Sequence, residues 1–448
     1  MSSNIVLSRG LDIPIKGAPD RKILRKVKPA RVAVKPTDYK GLVPRLLVRE
    51  GDPVAAGSPV ICDKERPEIL LTSPVSGAVK EIVRGEKRRL LAVVIESDDK
   101  GDSVEFGACN PAVLSREEAV SLLTRSGLWG GLISRPYGVI ANPSVSPKAI
   151  FISAFSTAPL APDTEFTLGG EADAIQAGVR LLSRLTDGGV HLCLSARTYS
   201  ASPFHKIEGA IVHTVSGPHP AGNVGVQISH ISPIRRGETV WTVPIELVAA
   251  MGRLILTGKL QLARRIAVTG PAAEEPAYVE AIPGTPVADI VKAEGDVRII
   301  SGDVLSGETL AADGFTGMFT DQITILREGR EKEYFGWAKP FRPKLFSSSF
   351  SYFSWLTPKK KYDMDTNLHG GPRAFVETKC FADVTPMDIF PIYLIKACLA
   401  GEIEKMEKFG IYEVLPEDLA LCDYVDPSKN DIQAIIASGI DLMIKEMA

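Results

Sequence analysis

The stretch Ser126-Gly-Leu-Trp-Gly-Gly-Leu-Ile-Ser-Arg-Pro-Tyr137 has the form of a cofactor loop that has lost its cofactor, and the chain is best interpreted around it. In a glycine-rich loop before a strand–helix unit, backbone N–H groups can approach a phosphate or an aromatic ring closely. Here only Gly130 and Gly131 remain adjacent. They are followed by Leu132 and Ile133, whose side chains would block that approach. The loop is therefore predicted to belong to an α/β region without holding a cofactor.

Length and composition indicate a soluble globular protein of several domains. At 448 residues the chain is too long for one ordinary core, so roughly two to four domains are expected. Hydrophobic residues make up 45% and charged residues 24%, and a net charge of −2 gives no support for nucleic-acid binding. No segment reaches the ~18 apolar residues of a membrane span, since the best candidate, 243–256, contains Glu246 and Arg253. With no basic-then-apolar leader at the N-terminus, these features predict a cytoplasmic protein.

The cysteines and histidines do not show metal-site spacing. The six cysteines have no C-x-x-C pair, so neither a disulfide framework nor a cysteine-ligated zinc or iron–sulfur site is predicted. Five of the six histidines lie between His191 and His230, without the helical H-x-x-x-H spacing of a metal site. His191 and His213 are predicted to be strand residues that hydrogen-bond locally, and no metal is expected.

Residues 1–111 are predicted to form a β-rich domain, because short Val, Ile and Leu runs alternate with Gly and Pro turns. Two halves, 48–60 and 72–82, resemble the flanks of biotinyl and lipoyl carrier domains, which form a flattened β sandwich. Carrier domains place a modified lysine on the hairpin between the halves. Here Lys64 follows Asp63, but the bulky residues 65–67 come next. An exposed, unmodified turn lysine is favoured, and a lipoyl-type carrier scaffold is the alternative.

Residues 112–258 alternate helix and strand patterns, which predicts a Rossmann-like α/β domain with a parallel sheet covered by helices. Ser115 and Glu118 form a capping-box pattern at the start of a helix, and Gly127 is its predicted C-cap. The loop quoted above follows this helix directly. Further along, the patterns predict a strand at 149–155, a helix at 171–185, strands at 190–195 and 209–215, and a helix at 244–256.

Residues 259–334 suggest a small α+β module, with a short helix at 286–292 among strands at 265–269, 297–300 and 322–326. Ala267-Val-Thr-Gly-Pro271, followed by Ile282-Pro-Gly-Thr-Pro286, resembles the soluble-ligand-binding (SLBB) β-grasp module of the complex I family. Residues 385–448 are predicted to form a helical domain, with helices at 386–400, 402–408, 416–425 and 431–447. The fold class is thus α/β, with β and α+β modules and a C-terminal helical domain.

Residues 335–384 are predicted to be a linker whose first part, 335–361, is aromatic and basic. No acid lies between Gly336 and Tyr362, and the segment carries Phe335, Trp337, Phe341, Phe346, Phe350, Tyr352, Phe353 and Trp355 with Lys339, Arg342, Lys344, Lys359, Lys360 and Lys361. Aromatic rings and cations together suit a membrane interface, or docking onto a membrane subunit. The alternative is an ordinary linker whose rings pack into the core.

A second loop, Ser216-Gly-Pro-His-Pro-Ala-Gly-Asn-Val-Gly225, follows a predicted strand, where α/β sheets place ligand crevices. Its prolines restrict the backbone and its glycines permit close approach. One interpretation is a ligand or subunit contact, with His219 as a proton donor or partner of a quinone oxygen. The other is a structural turn.

The opening stretch also resembles the flavin loop of two related proteins, the NADH-oxidising subunit of respiratory complex I and the C-type subunit of electron-transport complexes. That pattern ends in Gly-x-Gly-Gly-Ala-Gly-Phe-Pro-Thr. Aligned on Pro136, this chain has Trp129-Gly-Gly-Leu-Ile-Ser-Arg-Pro-Tyr137, so three of the four family glycines are missing. Where those relatives carry cluster cysteines, this chain has only Cys422, and Asp426 precedes the proline. Neither a flavin nor an iron–sulfur cluster is therefore expected in this chain.

Several motifs in order resemble the NqrA family, the A-type subunits of the bacterial Na⁺-translocating NADH:quinone reductase: Gly10-Leu-Asp-Ile-Pro-Ile-Lys-Gly-Ala-Pro19, Ser126-Gly-Leu-Trp129, Gly217-Pro-His-Pro-Ala-Gly222, Leu326-Arg-Glu-Gly-Arg-Glu-Lys332, Phe335-Gly-Trp337 and Glu417-Asp-Leu-Ala-Leu-Cys422. The resemblance implies a peripheral subunit on the cytoplasmic side of the bacterial inner membrane. Its partners would be the other subunits of a six-subunit pump that passes electrons from NADH to ubiquinone and exports sodium. FMN, FAD and iron–sulfur centres would lie on those partners.

The role predicted for this chain is architectural, without catalytic residues, and with a candidate ubiquinone contact. The first candidate contact is the loop itself, because it inherits a cofactor crevice: Trp129, Gly130, Gly131, Arg135 and Tyr137. Arg135 and Tyr137 would reach a quinone oxygen or head group. The second candidate is His219 with Gly222. The rival classes are an FMN-dependent NADH dehydrogenase, disfavoured by Leu132, Ile133 and Ser134, and the carrier modified on Lys64.

Overall fold

The N-terminal β domain contains two antiparallel sheets in a computed structural model that describes residues 2–330, 335–336, 342, 345–348, 354–375 and 379–447. One sheet has the spatial order β3 (Arg31–Val34), β9 (Leu90–Ser97), β8 (Gly77–Arg84) and β5 (Pro53–Val54). The other has the order β4 (Pro44–Leu46), β6 (Pro59–Asp63) and β7 (Leu70–Thr72). Both sheets contribute fully buried residues, such as Val60 and Ile95, to one hydrophobic core.

The central domain is built on a mixed sheet with the spatial order β1 (Asn4–Val6), β14 (Ala210–Ser216), β13 (Val190–Ser195), β12 (Ile150–Ser153), β15 (Val240–Thr242), β10 (Ile133–Arg135) and β11 (Val139–Ile140). Neighbours from β1 to β15 are parallel, as the alternating pattern predicts. β10 and β11 add an antiparallel edge that the sequence did not reveal, because such short strands show no periodicity. The loop of the opening stretch thus ends as a strand of this sheet.

The first residues of the chain contribute strands to two other domains. β1 pairs in parallel with β14 of the central sheet. β2 (Ile23–Lys26) pairs in parallel with β17 (Ala277–Ala281) of the third domain. Strand content alone does not indicate these partners, because a strand of three or four residues carries little information about which sheet edge it joins. The N-terminal segment therefore ties the central and third domains together.

The third domain contains a mixed sheet with the order β19 (Glu308–Leu310), β18 (Val297–Ser301), β20 (Gln322–Arg327), β16 (Arg264–Thr269), β17 and β2. The helix predicted at 286–292 is too long. Only one turn forms, α6 (Val287–Ile290), because Val291 adopts an extended backbone with φ −114° and ψ 129°. The surrounding Val and Ile residues favour strand over helix.

Helices cover the central sheet and form the C-terminal domain. The central domain carries α1 (Arg116–Ser126), α2 (Thr164–Thr167), α3 (Ala172–Leu182), α4 (Val224–Ile231) and α5 (Ile245–Thr257). The C-terminal domain carries α7 (Cys380–Val384), α8 (Pro391–Ala400), α9 (Ile403–Phe409), α10 (Ala420–Val425) and α11 (Ile432–Met447). The predicted start of α8 at Pro386 is wrong, because Pro391 occupies the first helical turn instead. Among the described residues, no helix combines the length and apolar character that crossing a bilayer requires.

Two large cores join the domains across their boundaries. One combines residues of the N-terminal sheets, such as Ile61, with residues of the central domain, such as Leu123 and Leu247. The other combines the C-terminal helices with the start of the chain, including Ile5 and Ile13. The domains therefore pack as one body, and a loop at their junction touches several of them.

The aromatic and basic segment is described only in part. The predictions for Trp337, Phe341, Phe350, Tyr352, Phe353, Lys339 and Lys344 lie outside the described residues. Phe346 packs against the ring of Tyr362, with a centroid distance of 5.6 Å. Phe335 and Trp355 are 74% and 59% exposed. One described ring thus packs inward, as a linker would, while two others face solvent.

His191 and His213 lie on adjacent strands and hydrogen-bond to each other, as predicted. Nδ1 of His191 is 2.9 Å from Nε2 of His213, and Nδ1 of His213 accepts from the backbone N–H of Ser3 at 3.1 Å. The His191 ring stacks on Phe151 at 4.4 Å. Burial and the neighbouring His213 lower the pKa of His191 to about 4.

This buried pair predicts an acid-dependent loss of stability. The unfolded chain protonates His191 near its ordinary pKa of about 6.5, whereas the folded chain resists protonation until about pH 4, so stability falls as the pH drops between those values. Between about pH 7.5 and 5, the wild-type chain should lose about 1–2 kcal/mol more unfolding free energy than His191→Phe. Urea denaturation at both pH values measures this difference. Equal losses in the two chains would contradict it.

Candidate functional site

The opening loop is held in place by the helix that precedes it. Ser115 and Glu118 form the predicted capping box at the start of α1, and Gly127 ends that helix with a φ of 82°. The chain then makes a 3₁₀ turn, Leu128–Gly131, and enters β10. The left-handed conformation at Gly127 is one that a residue without a Cβ adopts at little cost. The loop therefore leaves α1 in a fixed direction.

Trp129 is a core residue. Its side chain is fully buried, and its Nε1–H donates to the carbonyl of Ala141 at 2.8 Å. Its ring meets that of Trp241 on β15 edge-to-face, with centroids 5.5 Å apart. Contact between this ring and a ligand would require repacking of the interior, so Trp129 anchors the loop to the sheet.

Gly130 and Gly131 make room for side chains of other elements. A Cβ on Gly130 would lie 2.5 Å from Cε1 of Tyr39, and one on Gly131 would overlap Cδ1 of Leu247. Tyr39 comes from the N-terminal domain and Leu247 from α5, and both are buried. The close approach that these glycines permit is therefore made by Tyr39 and Leu247.

Arg135 forms a buried ion pair with the C-terminal domain. Its Nη1 donates to Oδ2 of Asp418 at 2.8 Å and its Nη2 to Oε1 of Glu417 at 3.1 Å. Arg135 is 2% exposed and the side chain of Asp418 is fully buried. Burial alone would lower the pKa of Arg135, but the two carboxylates raise it. The arginine predicted to reach a quinone oxygen is engaged instead across a domain boundary.

Two neighbouring segments pack closely around this ion pair. Oδ2 of Asp418 also accepts from the backbone N–H of Leu415 at 3.0 Å, which fixes the 3₁₀ turn at Pro416–Leu419. A Cβ on Gly225 of α4 would overlap the contacting atoms of both Asp418 and Arg135. Only glycine lets the helix approach the pair this closely. The cluster therefore joins β10, α4 and the C-terminal domain at one point.

Tyr137 lies at the end of the loop and is half-buried beside the C-terminal core. Burial and the nearby Glu407 raise the pKa of its phenol. Of the predicted contact residues in this loop, Tyr137 therefore keeps a partly accessible side chain. It packs against the core formed by the C-terminal helices.

His219 and Gly222 belong to the second loop, which follows β14. The backbone N–H of His219 donates to Oδ1 of Asp12 at 2.8 Å, and its Nδ1 lies 3.2 Å from Oγ1 of Thr157. That same hydroxyl accepts from the N–H of Gly222 at 2.9 Å. His219 is 4% exposed, and burial lowers its pKa. These contacts bind the loop to the start of the chain and support the structural-turn interpretation.

A crevice opens beside the first part of the loop, where three domains meet. Ser126, Gly127 and Leu128 form one wall, the segment from Ala33 to Tyr39 forms another, and Pro283 and Met318 of the third domain complete it. Its cavity volume is only about 30 Å³, about the space of one water molecule. A ring would therefore enter only if the walls moved apart.

Lys35 and Asp38 supply the charges of this crevice. Nζ of Lys35 lies 3.2 Å from Oδ1 of Asp38, and Oδ2 of Asp38 accepts from the N–H of Met318 at 2.7 Å. Burial raises the pKa of Asp38, although Lys35 opposes that shift. Sequence reasoning missed these residues. The sequence does show two opposite charges three residues apart, in Lys35-Pro-Thr-Asp38. This spacing alone does not indicate a site, because only the fold brings these residues next to the opening loop.

Cys422 and Asp426 stand where the related electron-transfer subunits carry cluster cysteines, and both make structural contacts in this chain. Sγ of Cys422 is buried 3.6 Å from Oγ1 of Thr385, and the carboxylate of Asp426 accepts from the N–H groups of Ser428 and Asn430. No group of three or more His, Cys, Asp or Glu in the described ranges is arranged to hold a metal ion. Lys64 is exposed on the turn between β6 and β7, and its unmodified state stays a prediction.

Family models match three consecutive parts of the chain. The NqrA N-terminal barrel-sandwich hybrid domain matches residues 5–98, the NqrA second alpha/beta domain matches 114–260, and the NQRA C-terminal domain, of SLBB type, matches 265–312. These domains define a modular subunit of a redox complex. The N-terminal prediction of a carrier-like sandwich is thereby confirmed at the level of a barrel-sandwich hybrid.

Full-length relatives give the particular family. The A-type subunit of the Na(+)-translocating NADH-quinone reductase of Rhodopirellula baltica is 35% identical over 98% of each chain. That of Yersinia pestis is 38% identical over 96% of this chain and 97% of its own. A chain of a NAD⁺-reducing [NiFe]-hydrogenase shares 11% identity over 67% of this chain and 55% of its own, with a TM-score of 0.34, too low to support an argument. The chain belongs to the NqrA family of the Na⁺-translocating NADH-quinone reductase, and it is a subunit of that oxidoreductase.

The Arg135 cluster predicts a large effect of removing one charge. Arg135→Met should lower the unfolding free energy by about 3–5 kcal/mol, because it leaves the carboxylate of Asp418 buried and unpaired. Arg135→Met/Asp418→Leu should recover part of that loss. Urea denaturation measures both.

A surface ion pair is the matched control. Lys80 and Glu96 are 58% and 53% exposed, so Lys80→Met should cost no more than about 1 kcal/mol. An Arg135→Met variant as stable as Lys80→Met would show that the buried pair does not hold the domains together.

Proposed function

We propose that this chain is the flavin-free, peripheral scaffold subunit of the sodium pump, positioned on the cytoplasmic side of the membrane. The observation that carries the proposal is the packing of Tyr39 and Leu247 into the space that Gly130 and Gly131 leave open. In this account the loop binds domains and not a flavin. FMN, FAD and iron–sulfur centres then lie on partner subunits, and this chain supplies no catalytic residue.

We also propose that the central domain is Rossmann-like and that the third domain is a β-grasp module. The parallel order from β1 to β15 with helices α3 and α5 supports a Rossmann-like central domain. The mixed sheet around α6 supports a β-grasp arrangement in the third domain. The central domain packs at the opening loop and the third domain packs at the crevice, in both cases through buried residues. This packing is consistent with a scaffold role.

We place the ubiquinone contact of this chain in the crevice between the loop and the N-terminal domain. The walls combine apolar residues with the ammonium of Lys35 and the carboxyl of Asp38. A quinone ring needs apolar walls and a few donors aimed at its oxygens. Lys35 can donate to a quinone oxygen while it keeps its ion pair with Asp38, because an ammonium group carries three N–H donors. The crevice takes over the role predicted for Arg135, which is occupied by Asp418.

Photo-crosslinking of the assembled complex with a photoreactive quinone analogue tests this placement. Labelled peptides should contain residues 33–39 or 126–128. Lys35→Ala should weaken labelling roughly tenfold or more, since a hydrogen bond from a charged donor is worth about 1.5–3 kcal/mol.

Arg197→Ala is the matched control, because Arg197 lies in a different crevice at the ends of β12, β13 and β14. It should leave labelling unchanged. Labels found only outside both segments, or an equal loss for the two variants, would remove the quinone contact from this crevice.

A further inference from the structure

The described residues 354–361 form an exposed turn with an apolar tip, which we call the Trp355 turn. It begins with a 3₁₀ turn at Ser354–Leu356. The side chains of Trp355 and Leu356 are 59% and 61% exposed. Exposing two adjacent large apolar side chains to water is unfavourable in free energy, and contact with another apolar surface would remove that cost.

The same turn ends in a run of cations. Lys359 and Lys361 are exposed, and Nζ of Lys360 lies 5.1 Å from the centre of the Tyr362 ring. In the sequence, residues 336–361 contain six Lys or Arg and no Asp or Glu, although the whole chain has a net charge of −2. Among the described residues, Lys359, Lys360 and Lys361 place positive charge directly beside the exposed apolar tip.

The base of the turn is fixed to the body of the protein. Tyr362 is 5% exposed; its N–H donates to the carbonyl of Pro14 at 2.8 Å, and its carbonyl accepts from Lys16 at 2.9 Å. Asp363 forms an ion pair with Arg327 at 3.2 Å. The exposed tip and its lysines are thus presented from a defined position.

We propose that the Trp355 turn binds the surface of a membrane that contains anionic lipid. Tryptophan is favoured at the depth of lipid head groups, where its ring meets apolar chains and its N–H stays hydrated. Lysines beside it are attracted to anionic head groups. The like charges and the absence of acid from the sequence of this segment suit a diffuse anionic surface better than a shaped protein pocket. This inference deepens the peripheral attachment within the proposed function and does not depend on the quinone crevice.

Sedimentation of the purified full-length chain with vesicles tests the proposal. The chain should bind vesicles of phosphatidylcholine mixed with phosphatidylglycerol, bind phosphatidylcholine alone weakly, and be released by high salt. Lys359→Glu/Lys361→Glu should weaken binding roughly tenfold or more, and Trp355→Ala should weaken it several-fold. Circular dichroism checks that each variant is folded.

Lys87→Glu/Arg88→Glu is the matched control. These residues lie on another exposed basic turn, between β8 and β9, that lacks an apolar tip. This variant changes the net charge by the same amount and should bind nearly as well as wild type. Equal loss in both double variants, no binding by wild type, or unchanged binding of Trp355→Ala would overturn the proposal. So would a Trp355→Ala variant that binds vesicles normally but fails to join the complex, which would indicate a protein partner. Quinone labelling in the complex is scored separately, so either proposal can fail alone.

Discussion

The buried ion pair between Arg135 and Asp418 is the constraint on which the arrangement of domains depends. It joins β10, at the end of the opening loop, to the C-terminal helical domain. Removing either partner would leave the other charge buried and unpaired, which costs far more than breaking a surface pair, so the contact favours this placement of the C-terminal domain against β10. Helix α4 packs closely against this ion pair, because a single Cβ on Gly225 would collide with both Arg135 and Asp418.

The loop before that ion pair attaches the N-terminal domain to the central domain. Trp129 anchors it to the central sheet, while Gly130 and Gly131 accept Tyr39 from the N-terminal domain and Leu247 from α5. One short segment therefore contacts the N-terminal, central and C-terminal domains. A glycine-rich loop that brings a backbone close to a cofactor can equally bring it close to a side chain.

Local patterns in the sequence predicted much of the fold, while distant contacts escaped prediction. The capping box at Ser115, the strand at Val190–Ser195 and the parallel pairing follow from spacing and propensity, which act over a few residues. The partners of β1 and β2 depend on which sheet edge is free, and a short strand does not encode that. The candidate site divides in the same way. The importance of the loop was visible, but the engagement of Arg135 by Asp418 and the crevice at Lys35 required the fold.

In this proposal Gly130 serves packing and not cofactor binding. The most direct test is the unfolding free energy of Gly130→Ala in the absence of any flavin or quinone. A methyl group at that position would lie 2.5 Å from Cε1 of Tyr39, which is 7% exposed, so the ring or the loop would have to shift. We expect a loss of about 1–3 kcal/mol, the usual cost of overpacking a core. Unchanged stability, together with altered flavin or quinone binding, would contradict it.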